Sequence, residues 1–307
     1  MATTASHDQT PGSDTTENSG TEGTRAPGGL GLALYVVATP LGNLRDITLR
    51  AIDVLGAVDT VAAEDTRTSA TLLAAHGIRT RLIAAHDHNE QRVAAKIVDL
   101  LAAGRSVALI SDAGTPAVSD PGALIVRAVR AAGFNVIPVP GPNAAVTALC
   151  AAGFEGAFHF AGFLPPRSAA RRAALRELKD LPATLVLYEA PHRIVELAQD
   201  LAIEFESQRA LVIARELTKH FETIHATTVA DVVAWLEADA NRRRGEFVVL
   251  VGRATAKAEA VDAEARRVLA LLLAELPVRQ AAKLAAAITG APKNALYEQA
   301  LALKNPG

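Results

Sequence analysis

Short apolar runs alternate with amphipathic stretches along most of the chain, and each run stops at a cluster of Gly, Pro, Asp, Ser or Thr. Leu34–Ala38, Asp59–Ala63, Leu82–Ala85, Val107–Ile110 and Asn135–Val139 predict strands. Their unbroken hydrophobicity is that of parallel strands covered on both faces. Helical spacing follows over Thr48–Gly56, from the capping cluster Glu64–Arg67 to His76, and over Gln91–Ala103 and Ala123–Ala132. In the last of these, Leu124, Ile125, Ala128, Val129 and Ala132 share one face, with Arg127 and Arg130 turned away. Pro140–Asn143 opens a helix running through Ala151, with proline read at its first helical position.

The pattern resets around Ala152–Ala157. Phe158–Phe163, Thr184–Tyr188, Ala210–Ala214 and Glu246–Val251 predict further strands, and His220–Thr227 alternates weakly, as an antiparallel strand would. A basic helix carries Arg167, Arg171, Arg172 and Arg176; others run to Ile203 and over Val229–Ala238. After Ala254 the chain turns helical, over Ala258–Leu276, Pro277–Thr289 and Ala291–Leu303. The fold class is therefore α/β: two α/β domains at 32–152 and 153–254, then a helical segment at 255–307. That segment lacks a groove-reading signature and is expected to be a packing appendage. Residues 1–31 hold almost no large apolar side chains and are expected to be disordered.

The polar clusters all follow strands, so they should gather on one side of the sheet and form a crevice. The longest lies in Leu109–Gly122, a loop of about ten residues where most strand-to-helix loops run to two to six. Such a crevice is built from backbone and few charges. It suits a ligand with an apolar ring, a carboxylate and an amine better than a phosphate-rich one.

Composition narrows the choice. A net charge of −2 gives no global pull on nucleic acid, so any such contact must use local patches. The single cysteine, Cys150, excludes an intrachain disulfide and suits a cytoplasmic home. No apolar run approaches the ~18 residues of a membrane span. There is no phosphate-binding G-x-x-x-x-G-K-[ST], no G-x-S-x-G elbow and no H-E-x-x-H. Gly28–Gly31 precedes the first strand rather than following it, so it is no dinucleotide fingerprint. His86 and His88 lack evident third and fourth ligands, so no metal is expected.

The motifs Thr39-Pro-Leu-Gly-Asn-Leu-Arg-Asp46, Ala63-Glu-Asp-Thr-Arg67, His86-Asp-His-Asn-Glu90, Ser111-Asp-Ala-Gly-Thr-Pro116, Ser119-Asp-Pro-Gly122, Val139-Pro-Gly-Pro142 and Tyr188-Glu-Ala-Pro-His-Arg193 resemble the tetrapyrrole methylase superfamily. Within it they are similar to the branch that methylates small-subunit ribosomal RNA, over about Leu34–Gly252 and the helical C-terminus. The resemblance implies an S-adenosylmethionine-dependent 2′-O-methyltransferase acting on a cytidine in the decoding region of 16S rRNA, in the assembled small subunit. It also implies a cofactor cleft between two α/β domains, and a homodimer. Matched by motif, Thr39, Pro40, Leu41, Gly42, Asp112, Ala113, Gly114, Thr115, Pro116, Ser119, Gly141, Pro142, Glu189, Ala190, Leu217 and Thr218 would line the cofactor. The helix end at Pro142 is a candidate for the methionine carboxylate.

A ribose hydroxyl is a poor nucleophile and calls for a base, for which Glu64, Asp65, His88 and Glu90 are candidates. Arg67, Arg167, Arg171, Arg172, Arg193 and Lys219 are candidates for phosphate contacts. Two alternatives stay open at this stage: a superfamily methyltransferase acting on a small molecule such as a tetrapyrrole intermediate, and a non-catalytic RNA-binding module.

Overall fold

The computed structural model describes residues 30–254 and 263–304. The expected N-terminal tail, up to residue 29, and the first part of the Ala258–Leu276 stretch lie outside the described residues. Two compact units emerge.

The first is an all-parallel sheet of β1 (Leu34–Val37), β2 (Thr60–Ala63), β3 (Arg81–Ala84), β4 (Val107–Ile110) and β5 (Val136–Val139), in the order β3-β2-β4-β1-β5. Its helices are α1 (Leu49–Ala57), α2 (Thr66–Ala75), α3 (Glu90–Ala102) and α4 (Ala123–Ala131). Every residue of β2 and β4 is buried, as continuous apolar runs require. Leu34, Ile97, Leu101, Val107, Leu109, Ile125 and Val129 share one core. Burying each such side chain contributes about 1.5–3 kcal/mol. The face expected for α4 is narrower than its periodicity suggested. Ile125 and Val129 are buried, while Leu124 and Ala132 are exposed, because one i, i+4 stripe suffices to cover the sheet.

The second unit begins its helices with α5 (Ala144–Ala152) and continues with α6 (Ser168–Leu178), α7 (Ile194–Glu204) and α8 (Val232–Glu237). Its strands are β6 (Phe158–Phe163), β7 (Thr184–Glu189), β8 (Ala210–Arg215), β9 (Thr223–Thr228) and β10 (Phe247–Val251), in the order β6-β7-β10-β8-β9. Only β6 and β7 pair in parallel; the other pairs are antiparallel, including the weakly alternating β9. Leu185, Leu187, Ile213 and Val249 face one core with Leu197 and Leu201 of α7. Val186, Val212, Ala214, Val248 and Leu250 face another with Ala145 and Ala148 of α5. The two faces thus carry alternate residues of each strand.

The chain ends in α9 (Ala263–Glu275), α10 (Val278–Thr289) and α11 (Lys293–Lys304), whose Ala265, Leu269, Ala281, Ala285, Leu296 and Ala300 form a separate small core. Gly290, with φ of 73°, supplies the left-handed turn between α10 and α11. No described helix is long and apolar enough to cross a membrane.

Candidate functional site

Three loops that leave the first sheet pack with the second unit: residues 38–47, 113–115 and the chain from Gly141 onward. They are tied together by backbone. Thr39 N–H donates to Gly114 O (2.9 Å) and Gly114 N–H donates to Thr39 O (3.0 Å). Thr115 Oγ1 donates to Pro142 O at 3.0 Å. Gly114 has φ of 82°, and a Cβ there would also press on Leu41, so only glycine serves. At Gly141 a Cβ would meet that of Ala38 at 3.0 Å. The strand-end loops that the sequence reading placed on one side of the sheet therefore do meet.

The second sheet completes the cluster. Leu41 and Tyr188 pack against the core that contains Leu217 and α5. Tyr188 Oη accepts the Ala145 N–H at 3.0 Å, and Asn143 caps α5 by accepting the Val146 N–H at 3.2 Å. This corrects the helix start: Pro142 precedes the cap rather than opening the helix. Two of the first-turn N–H groups are thereby engaged within the protein.

The loop after β8 is strained. Glu216 and Thr218 sit at φ of 52° and 65°, a costly conformation for non-glycine residues that persists only where the surroundings enforce it. Lys219 Nζ reaches both Glu216 Oε1 and Glu246 Oε2 at 2.9 Å. Burial works to lower the Lys219 pKa, but the two carboxylates prevail and raise it. The Lys219 stem lies over Gly42, where a Cβ would fall inside its van der Waals envelope. Only the i, i+3 charge spacing of Glu216 and Lys219 points to this contact in the sequence.

One buried polar atom in this cluster, Thr218 Oγ1, has no hydrogen-bond partner among the described residues; Glu189 Oε2, on the opposite face of β7 beside Arg193, has none either. Burial raises the Glu189 pKa despite the Ala190 N–H and Arg193, which act to lower it. Orphaned buried polar atoms call for an explanation, and a bound ligand is one.

Asp112, Pro116 and Ser119 belong to the first unit. There Asp112 and Glu64 hold each other's loops: Asp112 N–H donates to Glu64 Oε2 (3.2 Å), and Asp65 N–H donates to Asp112 Oδ1 (3.0 Å). Asp65 caps α2, and Arg67 holds its carboxyl down to about 2. Glu90 is buried, its Oε1 accepting the N–H groups of Gly122 and Leu124, each at 2.9 Å. His88 is exposed, edge-on to His86. No group of three or more metal-ligating side chains is present among the described residues.

Most of the expected phosphate contacts are otherwise engaged. Arg171 is fully buried: its Nε donates to Asp200 at 2.6 Å and its Nη1 to Pro166 O. Arg193 donates to Leu164 O at 2.8 Å and ion-pairs with Glu189. Arg172 and Arg176 share Glu204, and Arg67 pairs with Asp65. The periodicity that made the helix basic could not show that one of its arginines, Arg171, is turned inward and fully buried. Arg167 is exposed and makes no ion pair among the described residues.

The fold and its linked loops define a methylase: the model of the tetrapyrrole (corrin/porphyrin) methylases matches residues 33–233, and the chain belongs to that family. A second model, the RsmI C-terminal HTH domain, matches residues 259–304. Within the family the chain belongs with the ribosomal RNA small subunit methyltransferases I. It is 51% identical over 269 residues to the one from Escherichia coli O157:H7, covering 87% of this chain and 94% of that protein. It is also 51% identical over 271 residues to that of Pseudomonas aeruginosa, covering 87% and 96%. Among solved structures, the methyltransferase CobJ shares the fold with a TM-score of 0.56 and 20% identity, over 72% of this chain and 94% of that one. A uroporphyrin-III C-methyl transferase from Thermus thermophilus, complexed with S-adenyl homocysteine, matches with a TM-score of 0.52 and 19% identity, over 72% and 97%.

Proposed function

We propose that this protein is an S-adenosylmethionine-dependent methyltransferase that modifies the 2′-hydroxyl of a cytidine in the decoding region of 16S rRNA. It would act in the cytoplasm, as a homodimer, on the assembled small subunit. The observation that carries this reading is the near full-length match to relatives named for methylation of small-subunit rRNA, with the C-terminal helices included.

The cluster fits the cofactor. Gly114 and Gly141 leave no room for side chains and bring backbone close, and Thr218 Oγ1 is buried with no hydrogen-bond partner among the described residues. Thr39–Gly42, Ala113–Thr115, Gly141, Pro142, Glu189, Ala190, Leu217 and Thr218 would hold it. When bound, S-adenosylmethionine supplies a methyl group on a positively charged sulfur. These residues' part is to orient that group and exclude water, since alignment accounts for much of such a barrier. Backbone carbonyls, rather than lysines, surround a cation without repelling it. Of the four candidate bases, His88 is the one left exposed with no hydrogen bond on its ring among the described residues. It is assigned to take the hydroxyl proton.

The test is nucleoside mass spectrometry of 16S rRNA from cells lacking the protein, with methylation of their 30S particles by the purified enzyme. Loss of 2′-O-methylcytidine, restored in vitro, is expected. An unchanged level, or transfer only to a tetrapyrrole precursor, overturns the reading.

A further inference from the structure

We propose that Phe163 is a stacking platform for a base of the RNA substrate, a role that rests on the RNA reading above. The inference starts from an irregularity in β6. Phe160 pairs with Val186, but it is Gly162, not Ala161, that pairs with Leu187, and Phe163 then pairs with Tyr188. One extra residue is inserted, and Gly162 takes φ of 62° to accommodate it. In an unbroken strand Phe160 and Phe163 would point to opposite faces. The bulge puts them on the same one, the face of Val186 and Tyr188 on which Leu217, Leu41 and α5 pack.

Both rings meet Tyr188 edge-to-face, Phe160 at 5.0 Å and Phe163 at 5.6 Å. Phe160 is half-buried there, but Phe163 stays 57% exposed at the strand end next to the Glu189–Ala190 turn. Single exposed apolar side chains are common, and Phe158 is one; Phe163 differs in being braced edge-on by Tyr188 and followed by a pinned loop. The next residues add a cation at a fixed offset. Arg193 Nη2 donates to Leu164 O and Pro165 O, and Arg171 Nη1 donates to Pro166 O. Two guanidinium groups thus lock the loop from Phe163 to the exposed, ion-pair-free Arg167. A rigid aromatic followed by a free arginine is the chemistry that reads unpaired RNA, one stacking on a base and the other meeting a phosphate.

The experiment compares Phe163→Ala, Phe163→Leu, Phe163→Tyr and Phe158→Ala with wild type. Phe158 is a control, 52% exposed on the same strand and face but at its other end. Each variant is assayed for KM and kcat on 30S particles, for S-adenosylmethionine Kd by calorimetry, and for oligomeric state. Phe163→Ala and Phe163→Leu are expected to raise the 30S KM about tenfold with cofactor Kd unchanged, while Phe163→Tyr and Phe158→Ala stay within about twofold. The proposal is overturned if leucine matches phenylalanine, if cofactor affinity falls in step, or if the oligomer dissociates. A wild-type enzyme inactive on 30S particles would instead refute the RNA reading itself.

Discussion

Lys219 lies across Gly42, and no side chain fits between them. The contact joins a loop from the first sheet's β1 to the strained loop after β8, and Lys219 is held over it by Glu216 and Glu246. Gly42→Ala should push the lysine stem aside, an overpacking that costs about 1–3 kcal/mol. The expected result is an S-adenosylmethionine Kd about tenfold weaker by calorimetry. Lys219→Ala in the same chain should recover most of that loss. Strictly additive effects of the two substitutions would show that the contact does not couple the loops.

Glu90 accepts two backbone N–H groups at the start of α4, which gives it a structural task. Glu90→Ala should lower unfolding free energy by about 1.5–3 kcal/mol in urea titration, the range for hydrogen bonds to a charged group. Glu90→Gln keeps an acceptor and should keep kcat within about threefold. A collapse of kcat in Glu90→Gln at unchanged stability would make it the base in place of His88.

Arg171 and Asp200 form a buried ion pair, with Ser168 donating to the second carboxylate oxygen at 2.9 Å. Removing the arginine alone leaves a buried charge unpaired, so Arg171→Met should destabilise by about 3–5 kcal/mol. The double variant Arg171→Met/Asp200→Leu should regain most of it. Arg167→Ala, by contrast, should weaken 30S binding in a salt-dependent manner and leave the melting temperature unmoved.

His225 stacks on Trp235 at 4.1 Å, with Arg242 over the same indole at 4.9 Å. Burial, aided by Arg242, holds the His225 pKa below its ordinary 6.5. The unfolded chain therefore takes up this proton first as pH falls. The stabilisation is present above about 6.5 and is lost as pH drops towards the lower folded value. Melting curves between about pH 7 and pH 5 should fall less steeply for His225→Phe than for wild type. Parallel curves would exclude His225 as a contributor.

How much of this was legible in the sequence varies with the kind of interaction. The strands β2 and β4, the caps at Asp65 and the Gly290 turn follow from local pattern, because burial on both faces and unsatisfied helix ends act within a few residues. The meeting of the Thr39 and Gly114 loops was legible as well, since parallel strands deliver their loops to one edge. The motif resemblance supplied the family, which local physics alone would not.

What only the tertiary structure decided depends on partners distant in the chain. Arg171 and Arg167 sit on the same basic stretch, yet one is buried against Asp200 and the other exposed, because α7 covers one side of α6 only. Phe163 faces Tyr188 rather than the opposite core because one residue is inserted at Ala161, and strand periodicity cannot announce where a register slips. The left-handed Glu216 and Thr218 are held by Lys219, Glu246 and Glu222, contacts that exist only once the sheet has formed. Sequence pattern reports which face of an element is apolar; the side chain that will stand opposite each charge is settled by packing.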